Sequence, residues 1–294
     1  MRVFITGATG FIGIPVVTEL IAAGHKVLGM ARSEAGAKAL VKAGADVHRG
    51  SLENLESLRQ GATAADAVIH LGFIHDFSKF QENCEIDKRA IEALGSVLAG
   101  SNRPLIVTAG TAGLAGPGQV AVEDDVIPPD FPLPRVSEQT ALALVPKGVS
   151  ASVMRLPQVH NTIKQGLVSY LIGVAREKGV SAYVGEGRNR WAAGHVLDVA
   201  HLYRLALEKH QTGAKYHAVA EEGVLMRDIA EAIAGGLGVK AGSLSSEEAQ
   251  AHFGWLGMFA GSDLQASSSQ TRTKLGWSPS GPGLIADLKK MNYV

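Results

Sequence analysis

Short apolar runs alternate with longer stretches of helical spacing through the first half of the chain. Arg2–Thr6, His25–Met30, Asp46–Arg49, Ala67–Leu71, Leu105–Ala109 and Ala151–Leu156 read as six strands. Between them, Phe11–Ala23, Glu34–Ala43, Glu53–Gln60, Phe80–Ala99 and Val136–Leu144 carry helical patterns, the first two halted at Gly24 and Gly44. Apolar strands separated by helices predict a parallel sheet covered on both faces. The rhythm changes after Pro157. Helices are expected at Gly166–Lys178, Leu197–Leu207 and Leu225–Leu237, and strands at Val180–Val184 and Tyr216–Val219. Residues 1–156 are therefore expected to form a nucleotide-binding core, with 157–294 as an interleaved C-terminal substrate-binding region of one compact unit.

The composition narrows the possibilities. The 294 residues are 46% hydrophobic and 19% charged, with 28 basic and 28 acidic side chains. Such a chain can build a sizeable core, and a zero net charge offers no excess for neutralising phosphate backbones, so nucleic acid is not expected as a partner. A single cysteine, Cys84, excludes an internal disulfide framework and reads as a small buried apolar residue. No apolar run approaches the ~18–20 residues of a membrane span. The expectation is a cytoplasmic protein, monomer or homodimer, acting on a small molecule. The 10 histidines are dispersed without metal-ligand spacing, and Glu123-Asp124-Asp125 reads as a solvated loop.

The strongest motif is Thr6-Gly7-Ala8-Thr9-Gly10-Phe11-Ile12-Gly13, placed between the first strand and the first helix. Gly7 suits a tight turn, Gly10 lets the backbone approach a pyrophosphate, and Gly13 permits close helix–sheet packing. The free N–H groups and dipole of the helix N-terminus favour the phosphates. The second strand ends Met30-Ala31-Arg32-Ser33, with no acid to grip a ribose 2′-hydroxyl. Arg32 and Ser33 instead suit a 2′-phosphate, so the expected cofactor is NADP(H). Further cofactor contacts are expected beyond the ends of other strands: Ser51 and Leu52, Leu71, Gly72 and Phe73, and Pro157 and Val159. The expected fold is a Rossmann-type, doubly wound α/β sheet with a small C-terminal substrate-binding region.

These residues resemble the extended and atypical short-chain dehydrogenase/reductases, over nearly the whole chain. The glycine motif, Asp66–Leu71, Leu105–Thr111, Arg155–His160 and His195–Ala200 all match segments of that family. The nearest likeness is to the NAD-dependent epimerase/dehydratase and 3β-hydroxysteroid-dehydrogenase-like subgroup. By resemblance, Thr111 stands for the substrate-orienting hydroxyl and Asp87 for an asparagine on the fourth helix. The Tyr-x-x-x-Lys pair of the relatives aligns with Pro134-Arg135-Val136-Ser137-Glu138, and no tyrosine precedes Tyr170. Glutamate there would raise a phenol pKa rather than lower it as lysine does.

Another proton donor, or another reaction, is therefore required. His75, beyond the fourth strand, and His160, beyond the sixth, are the candidates, with Asp76, Tyr170, Tyr183 and Trp191 as substrate contacts. The resulting expectation is an NADP-dependent oxidoreductase acting on a carbonyl or alcohol of a small, mainly apolar molecule. The alternatives are a non-redox isomerase, lyase or cyclase on the same scaffold, and a non-catalytic NADP-binding sensor.

Overall fold

In the computed structural model, which describes residues 1–128 and 133–293, the chain divides into two compact units. The first takes in residues 1–110, 130–155 and 199–216; the second takes in 111–129, 156–198 and 217–294. Each is assembled from three stretches, so two segments fall on the other side of the expected division at residue 156.

The first part of the chain runs β1 (Arg2–Thr6), α1 (Gly13–Ala22), β2 (Lys26–Ala31), α2 (Glu34–Lys42), β3 (Asp46–Arg49), α3 (Leu55–Thr63), β4 (Ala67–His70) and α4 (Phe80–Leu98). It continues through β5 (Pro104–Gly110), α5 (Ser137–Ala143) and β6 (Ser150–Leu156). Next come β7 (Gln158–His160), α6 (Val168–Lys178), β8 (Val180–Val184), β9 (Arg190–His195), α7 (Val196–Glu208) and β10 (Lys215–His217). Then follow β11 (Glu221–Leu225), α8 (Met226–Leu237) and β12 (Lys240–Leu244).

A seven-stranded sheet has the order β10-β6-β5-β4-β1-β2-β3, and the pairs from β5 to β3 are parallel. This is the doubly wound arrangement expected from the alternation of apolar runs. Successive strands travel outward from β1 to β3, then restart on its other side at β4. The switch point lies between β1 and β4, where Thr6 and His70 stand in register. Ligands in such sheets collect at that carboxyl edge. Phe4, Leu28, Val68, Ile91 and Val107 belong to one buried cluster between the sheet and its helices. Gly61 brings α3 onto β1 so closely that a Cβ there would overlap the Phe4 ring.

The second unit holds a three-stranded sheet, β11-β9-β7, and the parallel pair β12-β8. Strands β7, β9, β11 and β12 were not expected, because small and polar residues interrupt their apolar pattern. Trp191 of β9 is fully buried in this unit's core with Ile229, Phe253 and Leu284. It was expected to contact substrate; instead its indole N–H donates to the Phe259 carbonyl at 3.3 Å. Its large apolar area is spent on packing.

Candidate active site

The glycine motif folds as its chemistry demands. Gly7 has φ +66°, and a Cβ on it would lie 2.7 Å from the Gly72 backbone nitrogen. A Cβ on Gly13 would collide with the Gly7 carbonyl oxygen, so only glycine lets α1 start against the turn. Gly10 differs. A Cβ there would meet only the Gly7 oxygen, at 3.1 Å, and otherwise enter open space in front of the helix. The helix opens from Ile12 without a side-chain cap. An uncapped N-terminus beneath an open glycine is a cradle for phosphate oxygens, so these residues fit a dinucleotide.

The ends of β2 and β3 frame one side of the cradle. A Cβ on Gly36 of α2 would lie 3.0 Å from the Thr9 methyl and 3.3 Å from the Ser33 hydroxyl, which places all three together. Ser33 caps α2, accepting from the Gly36 N–H at 3.1 Å, and its own proton stays available to a ligand. Arg32 is exposed, while Glu34 is engaged by Arg49. Arg32 has no carboxylate partner among the described residues. Ser51 is half-buried and Leu52 buried after β3, and a Cβ on Gly72 would meet the Leu52 side chain at 2.9 Å.

Across the switch point, a buried polar network ties the ends of β1, β4 and β5 to the start of α5. The Gly72 N–H donates to Thr6 Oγ1 at 3.1 Å, and Thr6 Oγ1 lies 2.8 Å from His70 Nδ1. His70 Nε2 is 3.1 Å from Asp87 Oδ1, and the Ser137 hydroxyl donates to Asp87 Oδ2 at 2.5 Å. Arg135 Nε donates to Ser137 Oγ at 2.9 Å, and its Nη2 to the Thr108 carbonyl at 3.1 Å. Thr108 Oγ1 in turn donates to the His70 carbonyl at 2.8 Å and lies 2.7 Å from the Tyr203 hydroxyl. Burial pushes the Asp87 carboxyl up, but the bonds from His70 and Ser137 and the charges of His70 and Arg135 outweigh it. The group is held below the ordinary carboxylate range.

Beyond β4 the chain turns outward. Leu71 and Phe73 are half-buried, and the Phe73 ring packs edge-on against His75 and Phe80 with centroids 5.3 and 6.1 Å away. His75 is exposed and its Nδ1 donates to the Phe73 carbonyl at 3.1 Å. Asp76 is committed to local structure: its Oδ1 accepts from the Ser78 hydroxyl at 2.6 Å and the Ser78 N–H at 3.1 Å. Those bonds hold its carboxyl below the usual range.

The second unit carries the remaining sequence candidates. Thr111 is buried; its N–H donates to the Leu156 carbonyl at 3.2 Å, and its hydroxyl lies 3.5 Å from the same oxygen. Pro157 is half-buried and Val159 buried in β7. His160, expected as a proton donor, has no exposed surface, and its Nδ1 bonds Asp287 at 2.7 Å. Burial lowers its pKa against the raising effect of Asp287. Its Nε2 is buried without a hydrogen-bond partner among the described residues and lies 3.9 Å from the Glu221 carboxylate. Tyr170 is exposed against Trp255 with ring centroids 5.3 Å apart, whereas Tyr183 packs half-buried on the second unit's core.

Arg135 and Ser137, inside the displaced motif, and His70, at the end of β4, are site residues that the sequence pattern alone does not single out. An arginine just ahead of a helix, directly after proline, was the available signal.

The sheet order defines a Rossmann-type fold with the glycine cradle at its switch point. Residues 3–220 match the model of the NAD dependent epimerase/dehydratase family, and the chain belongs to that family. Over its whole length it is 47% identical to a protein of Schizosaccharomyces pombe described only as uncharacterized, itself covered completely. It is 28% identical to the sterol-4-alpha-carboxylate 3-dehydrogenase (decarboxylating) of Dictyostelium discoideum, covering 77% of this chain and 73% of that one. In structure it is similar to the UDP-glucose 4-epimerase of Thermus thermophilus bound to NAD. The TM-score is 0.75 at 19% identity, over 100% of this chain and 99% of that one.

Proposed function

We propose that the protein is an NADP-dependent oxidoreductase that interconverts a carbonyl and an alcohol on a small, mainly apolar molecule. The observation that carries this reading is the pairing of an open glycine cradle with an exposed, uncommitted Arg32 at the end of β2. The family membership and the similarity to a sterol dehydrogenase support redox chemistry.

Gly7, Gly10 and Gly13 would admit the pyrophosphate, with Arg32, Ser33 and Thr9 on the 2′-phosphate and Leu52, Gly72 and Phe73 along its course. When bound, the nicotinamide supplies or accepts the hydride. Exposed at the carboxyl edge, His75 serves as the proton-transfer group, since an imidazole titrates near neutral pH. The test is loss of nicotinamide absorbance on mixing the protein with NADPH and a panel of aldehydes and ketones. Product formation with unchanged absorbance would instead support isomerase, lyase or cyclase chemistry. Pro134 and Glu138 at the Tyr/Lys positions are the specific observation favouring that second reading.

A further inference from the structure

We propose that Arg135 is the catalytic residue that holds the substrate's oxygen, for a carbonyl compound with a flat, apolar body. This inference rests on the oxidoreductase reading and names its missing cation. Relatives place a lysine four residues beyond their tyrosine. Here that position is Glu138, already neutralised by Arg155, and the first position is Pro134, which has neither charge nor proton. Arg135 brings a permanent positive charge to the same corner of the sheet by another route.

Its location follows from strand order. With Arg32 at the end of β2 and the glycine cradle at β1, a bound dinucleotide would be directed along the carboxyl edge toward β4 and β5. Arg135 is fixed at that far side. Nη2 donates to the Thr108 carbonyl of β5, and the guanidinium lies 4.2 Å from the centroid of the Phe73 ring beyond β4.

The orientation is set before any ligand arrives. Ser137 holds Nε, Thr108 holds Nη2, and Phe73 covers one face, so the plane of the fork is defined. Nη1 donates to none of the described residues. Three other arginines of this unit are spent: Arg103 on the carbonyls of Ala62, Ala65 and Val97, Arg155 on Glu138, and Arg204 on Glu19. Among the described residues, Arg135 reaches a carboxylate only through the Ser137 hydroxyl. A preorganised donor with one nitrogen uncommitted is suited to an oxygen on which negative charge develops.

The reaction balances with groups already named. Bound reduced nicotinamide would supply the hydride for the new C–H bond, and Arg135 would meet the charge as the carbonyl π pair moves to oxygen. His75, in edge contact with the same Phe73 ring, gives that oxygen its proton and recovers one from water. Arginine stays protonated throughout. The Phe73, Phe77 and Phe80 rings make the neighbouring surface aromatic, which favours a planar apolar substrate.

The test uses 2-naphthoate, a flat apolar body with a fixed anionic oxygen, titrated calorimetrically into the full chain. Arg135→Gln should weaken binding by about tenfold or more, and Arg135→Lys should restore part of it. The melting temperature and NADPH affinity should stay close to those of the parent. In the unmodified chain, 2-naphthoate should protect Arg135 from phenylglyoxal, read by peptide mass, even if both variants fail to fold. Unchanged naphthoate affinity in a folded variant, or absence of protection, overturns the assignment. Arg135-dependent naphthoate binding without NADPH affinity would keep the subsite and remove the redox reading.

Discussion

Glu138 accepts two hydrogen bonds from Arg155, 2.7 Å from Nε and 2.6 Å from Nη2, and both side chains are almost wholly withdrawn from water. The pair joins the first turn of α5 to β6 inside one unit. The carboxylate's charge is thus matched by a guanidinium inside the core. Glu138→Gln should therefore act on stability first, costing about 3–5 kcal/mol because Arg155 would remain charged in the interior. Urea unfolding measures this. A variant as stable as the parent would show that the pair contributes little.

Cofactor choice should follow Arg32. NADPH should bind more tightly than NADH, and Arg32→Ala should erase most of the difference, a loss of roughly 1.5–3 kcal/mol. Fluorescence titration with both cofactors reads it directly, and equal affinities in the parent protein would remove the NADP assignment.

Two glycines of one motif should fail in different ways. Gly13→Ala forces a Cβ into the Gly7 carbonyl and should lower the melting temperature. Gly10→Val projects into the open cradle and should leave the fold nearly intact while abolishing NADPH binding. Melting curves and NADPH titrations on both variants separate the effects. Retained affinity in a folded Gly10→Val chain would contradict the site.

Asp87 should make stability depend on acid pH. Its carboxyl is held below the ordinary range in the folded chain. Its contribution is therefore complete above the unfolded carboxylate value of ~3.9 and disappears as pH falls through the lower folded value. Asp87→Asn should cost about 1.5–3 kcal/mol at neutral pH and flatten the acid limb of the stability curve. Chemical denaturation across acid and neutral pH tests the sign.

What could be read in advance was what depends on neighbours in sequence. Thr6–Gly13 announces its turn because a tight bend, a close approach and a helix start all fall within eight residues. Most strands from β1 to β6 were legible for a similar reason: strands buried on both faces leave continuous apolar runs, whereas Asp46–Arg49 of β3 is polar and partly exposed at the sheet edge. Arg135 was not legible, because its orientation comes from Thr108, 27 positions earlier, and from the Phe73 ring. His160 is a second case: its bond to Asp287, 127 residues on, has no signal in the local sequence. Both outcomes belong to tertiary pairing, on which spacing is silent.

The alternation of segments between the two units also dictates a schedule of assembly. The sheet's outer strand β10 is supplied by Lys215–His217, and residues 199–216 return to the first unit after a long excursion. A ribosome that has released only the glycine motif and the first six strands has not yet delivered that edge, nor Tyr203, which sits against Thr108. The nascent nucleotide-binding half must wait with an unpaired strand border and an incomplete interior, a state prone to association with other chains. The seven-stranded sheet can therefore be completed only after residues 199–217 have been made.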